Sequence, residues 1–597
     1  MAANLTHLDF RPAECTPKMI PVTLHPESNR RRILSALLMI ALPAAIHLLS
    51  VRPVEPVFGG DSNRHVVTSI FFRDFIADGQ FADPKSYAEQ YFEQYPALGL
   101  LVWPPMFHGV CGVAMLAFGT SVTVARLLIL LSFIVSCWCV RRMARRVLKA
   151  DQSAAVMIVY SVLPVIFDYS RDVMLEIPAL ALVMLSADQF DLWLRDVNRR
   201  SLYFAAVAAA FAALTRFDAV VLLPFCLAMF VLRGGWKQLR SRHVLIAGTF
   251  AACLVGPVYL IIAREMGPLH IRQATVSVGG SVDGSANAFL AAKNVWYYPS
   301  VLVEQSGWPV AVLSVVGLLT SLRRGTRLQR SVFLALMLAT YLTFSPLAEL
   351  RPRHAIYWMP AVAFFAVCGL DLILSLIKVK SRNGAALLAE PSFIKKPHSG
   401  EVHVPDHCGS VVGDCGSCIT MTAAAYGLLF ASAAGASLTL PAYRVEGYRA
   451  AAEYVLRHTS PGDRVFFDGW WDGNFTYHMR HLDPTRSRSV IRGDRLLYDF
   501  VCVPSTDFQL HAENDRDMLK LILDARPAFV VLENPQFFQT IKAAQNLRDL
   551  AQSHPAIFEP VEQIPVQSSI TQFPKFRLDV LRFNAEAAAV RMKEMPD

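Results

Sequence analysis

The sequence predicts a mainly α, polytopic membrane protein of about eleven transmembrane helices, followed by an extracytoplasmic α/β domain. Three observations carry that prediction. Apolar residues make up 54% of the 597-residue chain and charged residues only 18%, against roughly 25% in ordinary globular proteins. The missing charge is concentrated in repeated uncharged runs of about 15–22 residues, long enough to cross a bilayer. After about residue 441 the composition returns to that of a soluble domain. The net charge of +9 comes from Arg/Lys clusters between apolar runs. Such clusters are topology signals rather than a nucleic-acid footprint, so no nucleic-acid partner is expected.

Taken in order, residues 1–32 read as a cytoplasmic tail, polar and without the pattern of a cleavable signal peptide. Twelve apolar runs follow, near 33–51, 98–118, 122–140, 153–167, 177–194, 202–214, 219–232, 244–262, 303–322, 331–347, 355–377 and 419–440. Arg30, Arg31 and Arg32 place the first run's leading end in the cytoplasm, and the cluster Arg141, Arg142, Arg145, Arg146 and Lys149 belongs on the same side. An even number of crossings must separate them, so one of the three intervening runs does not span. The run 98–118 is that one, because Pro104-Pro105 breaks a helix near its start and Trp103 suits an interface. The later clusters around Arg195, Arg233, Arg323 and Lys378 then all fall inside. This gives a membrane domain over 33–440, with a long first external loop at 52–121 and a flexible cytoplasmic loop at 379–418. The external domain covers 441–597. In it, helices over 446–458 and 515–525 alternate with strands over 463–469, 489–494, 528–533 and 576–583.

Sorting the remaining charges by side collects them at the outer face: Asp61, Arg64, His65, Lys85, His108, Arg126, Arg171, Asp172, Glu176, Arg216, Arg351 and Arg353. Charges at that depth are costly against lipid and face a cavity or one another. Arginines grip phosphate and stay charged at any working pH. Carboxylates serve as a general base or hold a divalent cation such as Mg²⁺ or Mn²⁺. Asp172 and Glu176 are spaced to share one face if both lie on a helix. Together these groups suit attack on an anomeric carbon whose leaving group is a phosphate. The bland readings stay open at each position: a helix cap at Asp61, a snorkelling Arg126, an internal salt-bridge set at 171–176, and lipid-headgroup contacts at Arg351 and Arg353. His403, His407, Cys408, Cys415 and Cys418 resemble a zinc ligand set, though not at a usual spacing.

The order of motifs is similar to that of the GT-C fold glycosyltransferases related to dolichyl-phosphate-mannose protein mannosyltransferases and the lipid A aminoarabinose transferases. The resemblance covers about residues 33–377. It rests on "GGDSNRH", "YPALGLLVWPPMFH", "FGTSVTVARLL", "YSRDVMLEIPALAL", "ALTRFDAVVLLP", "NVWYYPSVL" (with Tyr298) and "RPRHAIYWMPA", in that order. It implies inverting transfer of one sugar from a polyprenyl-phosphate-linked donor to a glycan, lipid or protein acceptor, at the outer face of a membrane, expected to be the bacterial inner membrane. By position Asp61 resembles the general base. Glu176, with Asp172, resembles the acid that orients the acceptor or a metal. Arg126, Arg171 and Arg353 resemble donor-phosphate contacts. Many relatives have two adjacent acids where this chain has Asp61-Ser62, one carboxylate fewer to hold a cation. The rival readings are a transporter or flippase for a lipid-linked saccharide, and an assembly or sensor protein acting through its external domain.

Overall fold

The computed structural model describes residues 61–275, 290–348, 350–388, 415–441, 444–499, 509–535, 542–569 and 575–595, with residues 37, 41–46 and 48. Most of the run at 33–51, the glycines before Asp61 and the side chains of the His/Cys set at 403–418 lie outside the described residues.

The region expected as a long mixed loop at 52–121 is largely helical. It contains α1 (Ser62–Asp78), α2 (Pro84–Gln94) and α3 (Met106–Phe118). Each boundary has a local cause. Gly79 ends α1 in the left-handed conformation, Asp83 caps α2 by accepting from the Ser86 amide, and α3 starts directly after Pro104-Pro105.

The bundle continues through α4 (Val122–Arg145), α5 (Ala150–Ser161), α6 (Pro164–Ser170), α7 (Glu176–Asp196), α8 (Arg199–Ala213), α9 (Leu222–Arg233) and α10 (Arg242–Thr275). After these come α11 (Asn294–Ser306), α12 (Trp308–Ser321), α13 (Ser331–Phe344), α14 (Met359–Leu388) and α15 (Cys415–Leu438). Five helical segments among the described residues are long and apolar enough to cross a membrane, or six when the bent pair α5 and α6 counts as one. The expected count of about eleven full-length spans is therefore not confirmed among the described residues. Pro164 bends the run 153–167 by 62°. The run 303–322 is broken at Gly307, whose φ of +80° only glycine adopts without strain. The α3, α12 and α13 helices are apolar but shorter.

The core is continuous through the bundle, and α7 is its most enclosed long helix. At the far end of α7, Asp188 and Asp191 are fully buried and clasped by four arginines from three helices. Asp191 meets Arg146 at 2.6 Å, Arg195 at 2.9 Å and Arg233 at 2.6 Å, while Asp188 meets Arg142 at 3.2 Å and also Arg146. Basic clusters far apart in sequence thus gather at one end of the bundle. The first residue of α7, Glu176, lies about 18–22 Å from Asp188 and Asp191 at the standard helical rise, at the opposite end of the helix.

Residues 445–594 form the α/β layer. Its six-stranded sheet has the order β1 (Val445–Glu446), β5 (Phe558–Ser568), β6 (Phe576–Phe583), β4 (Pro527–Asn534), β2 (Arg464–Asp468), β3 (Ser489–Arg492). Strands β3, β2 and β4 are parallel and the other pairs antiparallel. Helices α16 (Tyr448–Arg457), α17 (Asp472–Leu482), α18 (Asp515–Ala525), α19 (Lys542–Ser553) and α20 (Ala585–Glu594) pack around it. Sequence reading found four of the strands and two of the helices. It missed the two-residue β1, β5, α17, α19 and α20; in β5 and α17 the mixed Gln, Pro, His and aromatic content shows no clean period.

Helices α12 and α14 touch backbone to backbone. A Cβ on Gly317 would sit 1.9 Å from the Phe365 carbonyl oxygen, and one on Gly369 would sit 2.2 Å from that of Leu313. Gly317→Val should lower stability by at least about 1–3 kcal/mol, read as a lower thermal midpoint of the purified protein in detergent.

Candidate active site

Four segments distant in sequence meet in one ion-pair cluster. Asp61 is the N-cap of α1, Glu176 the first residue of α7, Arg216 the residue ahead of the 3-10 helix Phe217–Val221, and Arg353 lies in the 3-10 helix Pro352–Trp358. Arg353 Nη1 donates to Asp61 Oδ2 at 3.1 Å and lies 3.7 Å from Glu176 Oε1. Arg216 Nη1 approaches the same Glu176 oxygen at 2.9 Å and its Nε donates to Asp218 Oδ2 at 2.6 Å. The Glu176 side chain is fully buried, whereas Asp61 retains 35% exposure, so the cluster opens to solvent at Asp61. Charge rather than directed bonding holds Glu176. Neither carboxylate oxygen receives a hydrogen bond from the described residues, which leaves acceptor capacity facing the cluster.

Asp172 is the second layer. Its Oδ1 accepts from Ser62 Oγ at 2.6 Å and from the Val173 amide at 2.7 Å, and its buried Oδ2 accepts from none of the described residues. Burial pushes its carboxyl up to about 7, against the opposing pull of these hydrogen bonds and of Arg126. Sequence spacing suggested that Asp172 and Glu176 share a helical face. They do not: α7 begins at Glu176, and Asp172 lies in the turn that links it to α6. Ser62, next to Asp61, carried no sequence signal at all.

His65 follows Asp61 by one helical turn, with its amide donating to the Asp61 carbonyl at 2.9 Å. Its Nδ1 pairs with His108 Nε2 at 3.1 Å, and Trp103 packs edge-on against its ring at 4.4 Å. Burial holds His65 well below the usual histidine range; His108, Arg216 and Arg353 push the same way. Burial brings His108 down to about 4. The pair is therefore neutral at working pH, with one ring donating to the other.

Other expected site residues fall elsewhere. Lys85 is exposed on α2 and pairs with Glu89 at 3.7 Å, one turn along, so it does not join the cluster. Arg171 ends α6 and turns toward Asp168 and the carbonyls of Leu440 (3.5 Å) and Pro441 (2.6 Å), where it ties the bundle to the start of the C-terminal layer. Arg64, on another face of α1 from Asp61, reaches Asp472 of α17 at 3.2 Å. Arg351 is exposed, and Tyr298 is buried among aromatic rings, edge-on to Trp358. The arrangement does not fit a metal. Guanidinium groups stand between the carboxylates, and the described residues contain no group of three His, Cys, Asp or Glu side chains that could ligate one ion.

Residues 103–261 match the family model described as dolichyl-phosphate-mannose-protein mannosyltransferase. No curated protein matches the sequence. Among solved structures, ArnT from Cupriavidus metallidurans bound to undecaprenyl phosphate is similar at 16% identity, with a TM-score of 0.56 over 94% of this chain and 99% of that one. Its apo form gives 15% identity and a TM-score of 0.58 over 93% and 99%. The chain has the GT-C glycosyltransferase fold. In this GT-C chain the α/β layer is included in the match, since nearly the whole of both chains superimposes.

Asp172 gives a pH test. Its acid titrates near 7 when folded, above the ordinary 3.8, so the fold holds a proton that the unfolded chain has lost between those values. Its contribution to stability falls as pH rises through that window. Asp172→Asn, which keeps an acceptor for Ser62, should gain thermal midpoint relative to the parent protein at pH 8 and lose that advantage at pH 5. A pH-independent difference between the two would contradict the burial argument.

Proposed function

We propose that this protein is an integral-membrane, inverting glycosyltransferase. It takes a sugar from a polyprenyl-phosphate-linked donor and transfers it to a hydroxyl of a glycan, lipid or protein acceptor. The observation that carries this reading is the Arg353 guanidinium lying between Asp61 and Glu176, with Arg216 on the same Glu176 oxygen. Two arginines beside an exposed carboxylate provide a phosphate grip next to a base. That is the pairing needed for a sugar phosphate and a hydroxyl nucleophile.

In the reaction proposed, the donor phosphate competes with Asp61 for Arg353 and frees the carboxylate. Asp61 accepts the acceptor hydroxyl's proton as its oxygen bonds to the anomeric carbon. The bond from that carbon to the phosphate oxygen breaks, and polyprenyl phosphate leaves against Arg353 and Arg216. Glu176 keeps both arginines in place and offers its free lone pairs to a sugar hydroxyl. Asp172 with Ser62, Arg126 and the neutral His65–His108 pair line the substrate side.

The site belongs on the non-cytoplasmic face of a bacterial inner membrane in this reading. Support comes from the basic clusters at the opposite end of α7, since Lys and Arg favour the cytoplasmic side. Residues 33–440 then form the catalytic membrane unit and 441–597 an extracytoplasmic domain. The similarity to a structure of ArnT with undecaprenyl phosphate supports the donor class.

The test compares lipid A and envelope glycans by mass spectrometry in cells carrying the parent gene, no gene, or Asp61→Asn at equal protein level. The parent should add the mass of one sugar unit to an envelope component. Asp61→Asn should lower that product by at least about 10²-fold. Product at the parent level from a folded Asp61→Asn protein would reject the base assignment.

A further inference from the structure

The position of Asp61 poses a problem that the bundle alone does not solve. Asp61 is the N-cap of α1, and its own side chain makes no capping hydrogen bond to that helix. Successive residues of a helix point about 100° apart, so a first turn can be fixed only by partners on several sides. The next three residues have such partners. Ser62 Oγ donates to Asp172 of the bundle at 2.6 Å. Asn63 Nδ2 donates to Asn474 Oδ1 at 3.0 Å in a buried contact, and Arg64 Nη2 meets Asp472 Oδ1 at 3.2 Å. Asn474 and Asp472 both belong to α17 of the C-terminal layer.

The contact continues along α1. Asp74 is fully buried and accepts from Arg480 Nη2 at 2.6 Å, from Arg480 Nε at 2.9 Å and from the Tyr91 hydroxyl at 2.7 Å. Beyond it, Asp78 pairs with Arg486. The two helices approach too closely for larger residues, since a Cβ on Gly473 would lie 2.3 Å from Asn63 Oδ1. On its other side α17 is fixed to the sheet. Glu533 at the end of β4 accepts from the Trp470 and Trp471 amides at 2.7 and 2.9 Å, and Arg492 at the end of β3 meets Asp472 at 2.8 Å and the Pro96 carbonyl at 2.7 Å. A rigid element therefore runs from the sheet through α17 to the residue after Ser62.

Resting on the reading of Asp61 as the base, we propose that α17 of the C-terminal layer is a positioning element of the active site. It holds the first turn of α1 so that Asp61 and Ser62 stay in register with Glu176, Arg353 and Asp172. Asn474, Asp472 and Arg480 are its positioning residues. A shift of the base by about 1 Å is enough to cost ~10²-fold in rate, so the buried contacts of α17 act on turnover while the arginines that hold phosphate stay where they are.

The experiment uses the full chain with Arg480→Gln, Asp74→Asn, the double variant Asp74→Asn/Arg480→Gln, and Asn474→Ala, which removes only a neutral hydrogen bond. Two quantities are read: the rate of the envelope product, and the affinity of the detergent-purified protein for undecaprenyl phosphate. The single variants should lose about 10- to 10²-fold in product rate with undecaprenyl phosphate affinity unchanged. The double variant should recover most of the rate, because it leaves no unpaired buried charge. Parent-level rates in Arg480→Gln and Asn474→Ala would overturn the proposal. So would parallel loss of rate and affinity in every variant, which marks general unfolding. If Asp61→Asn is itself fully active, the base assignment fails. If Asp61→Asn is inactive while the α17 variants are fully active, only the positioning role fails.

Discussion

The guanidinium of Arg353 is the constraint around which the Asp61 end of the bundle is organised. Asp61 and Glu176 both lie within 3.7 Å of its Nη1, Glu176 fully buried and Asp61 partly open to solvent. Without an intervening cation the two carboxylates would repel, and the start of α1 and the start of α7 could not lie side by side. Arg216 adds a second positive charge against the same Glu176 oxygen and is itself answered by Asp218. The cluster thus sets three carboxylates against two guanidinium groups before any substrate arrives. In the proposed reaction a phosphate entering it takes over the arginines from Asp61, the partner that is partly open to solvent. Release of the Asp61 carboxylate by the donor phosphate, as proposed, rests on this geometry.

A site of this kind needs a stiff frame, because its members come from four separate stretches of chain. The α7 helix supplies much of that stiffness. At one end it carries Glu176. At the other it carries Asp188 and Asp191, held by arginines of α4, α9 and α7 itself. Each end is a buried ionic clasp, and the turns between them are apolar. Breaking one partner of such a clasp strands an uncompensated charge, which costs about 3–5 kcal/mol. The clasps are therefore better understood as devices that fix relative helix position than as net sources of stability. Close backbone contact at Gly317 and Gly369 does the same for α12 and α14 by dispersion rather than charge.

The C-terminal layer extends this logic beyond the bundle. Its parallel strands end at Asp468, Arg492 and Asn534, and the segment leaving β2 becomes α17. Burial pushes the Glu533 carboxyl up to about 7, even though it accepts from the Tyr448 hydroxyl and two amides of that segment. An acidic group held there by main-chain donors fixes the start of α17, and α17 in turn lies along α1. The chain of contacts from sheet to Asp61 uses polar and charged groups throughout, so its geometry is directional where a purely apolar interface would slide.

Much of this was legible in the chain itself. The deficit of charge and the spacing of apolar runs specify a membrane bundle, because hydrocarbon excludes charge whatever the fold. The alternation of short apolar strands and amphipathic helices specifies an α/β layer after residue 441. The collection of Asp61, Glu176, Arg216 and Arg353 among the outer-face charges follows from the same counting. Tertiary structure alone decided which of those charges meet. Lys85 and Arg171 carry the same charge as Arg353 and lie in segments of similar character, yet one is solvated on α2 and the other is spent on backbone carbonyls. Ser62, Asn474 and Arg480 gave no signal, since a serine, an asparagine or an arginine in a polar stretch is ordinary. The reason is physical: solvent selects residue type at each depth, one position at a time, whereas partnership depends on which helix ends the packed chain brings within about 3 Å of one another.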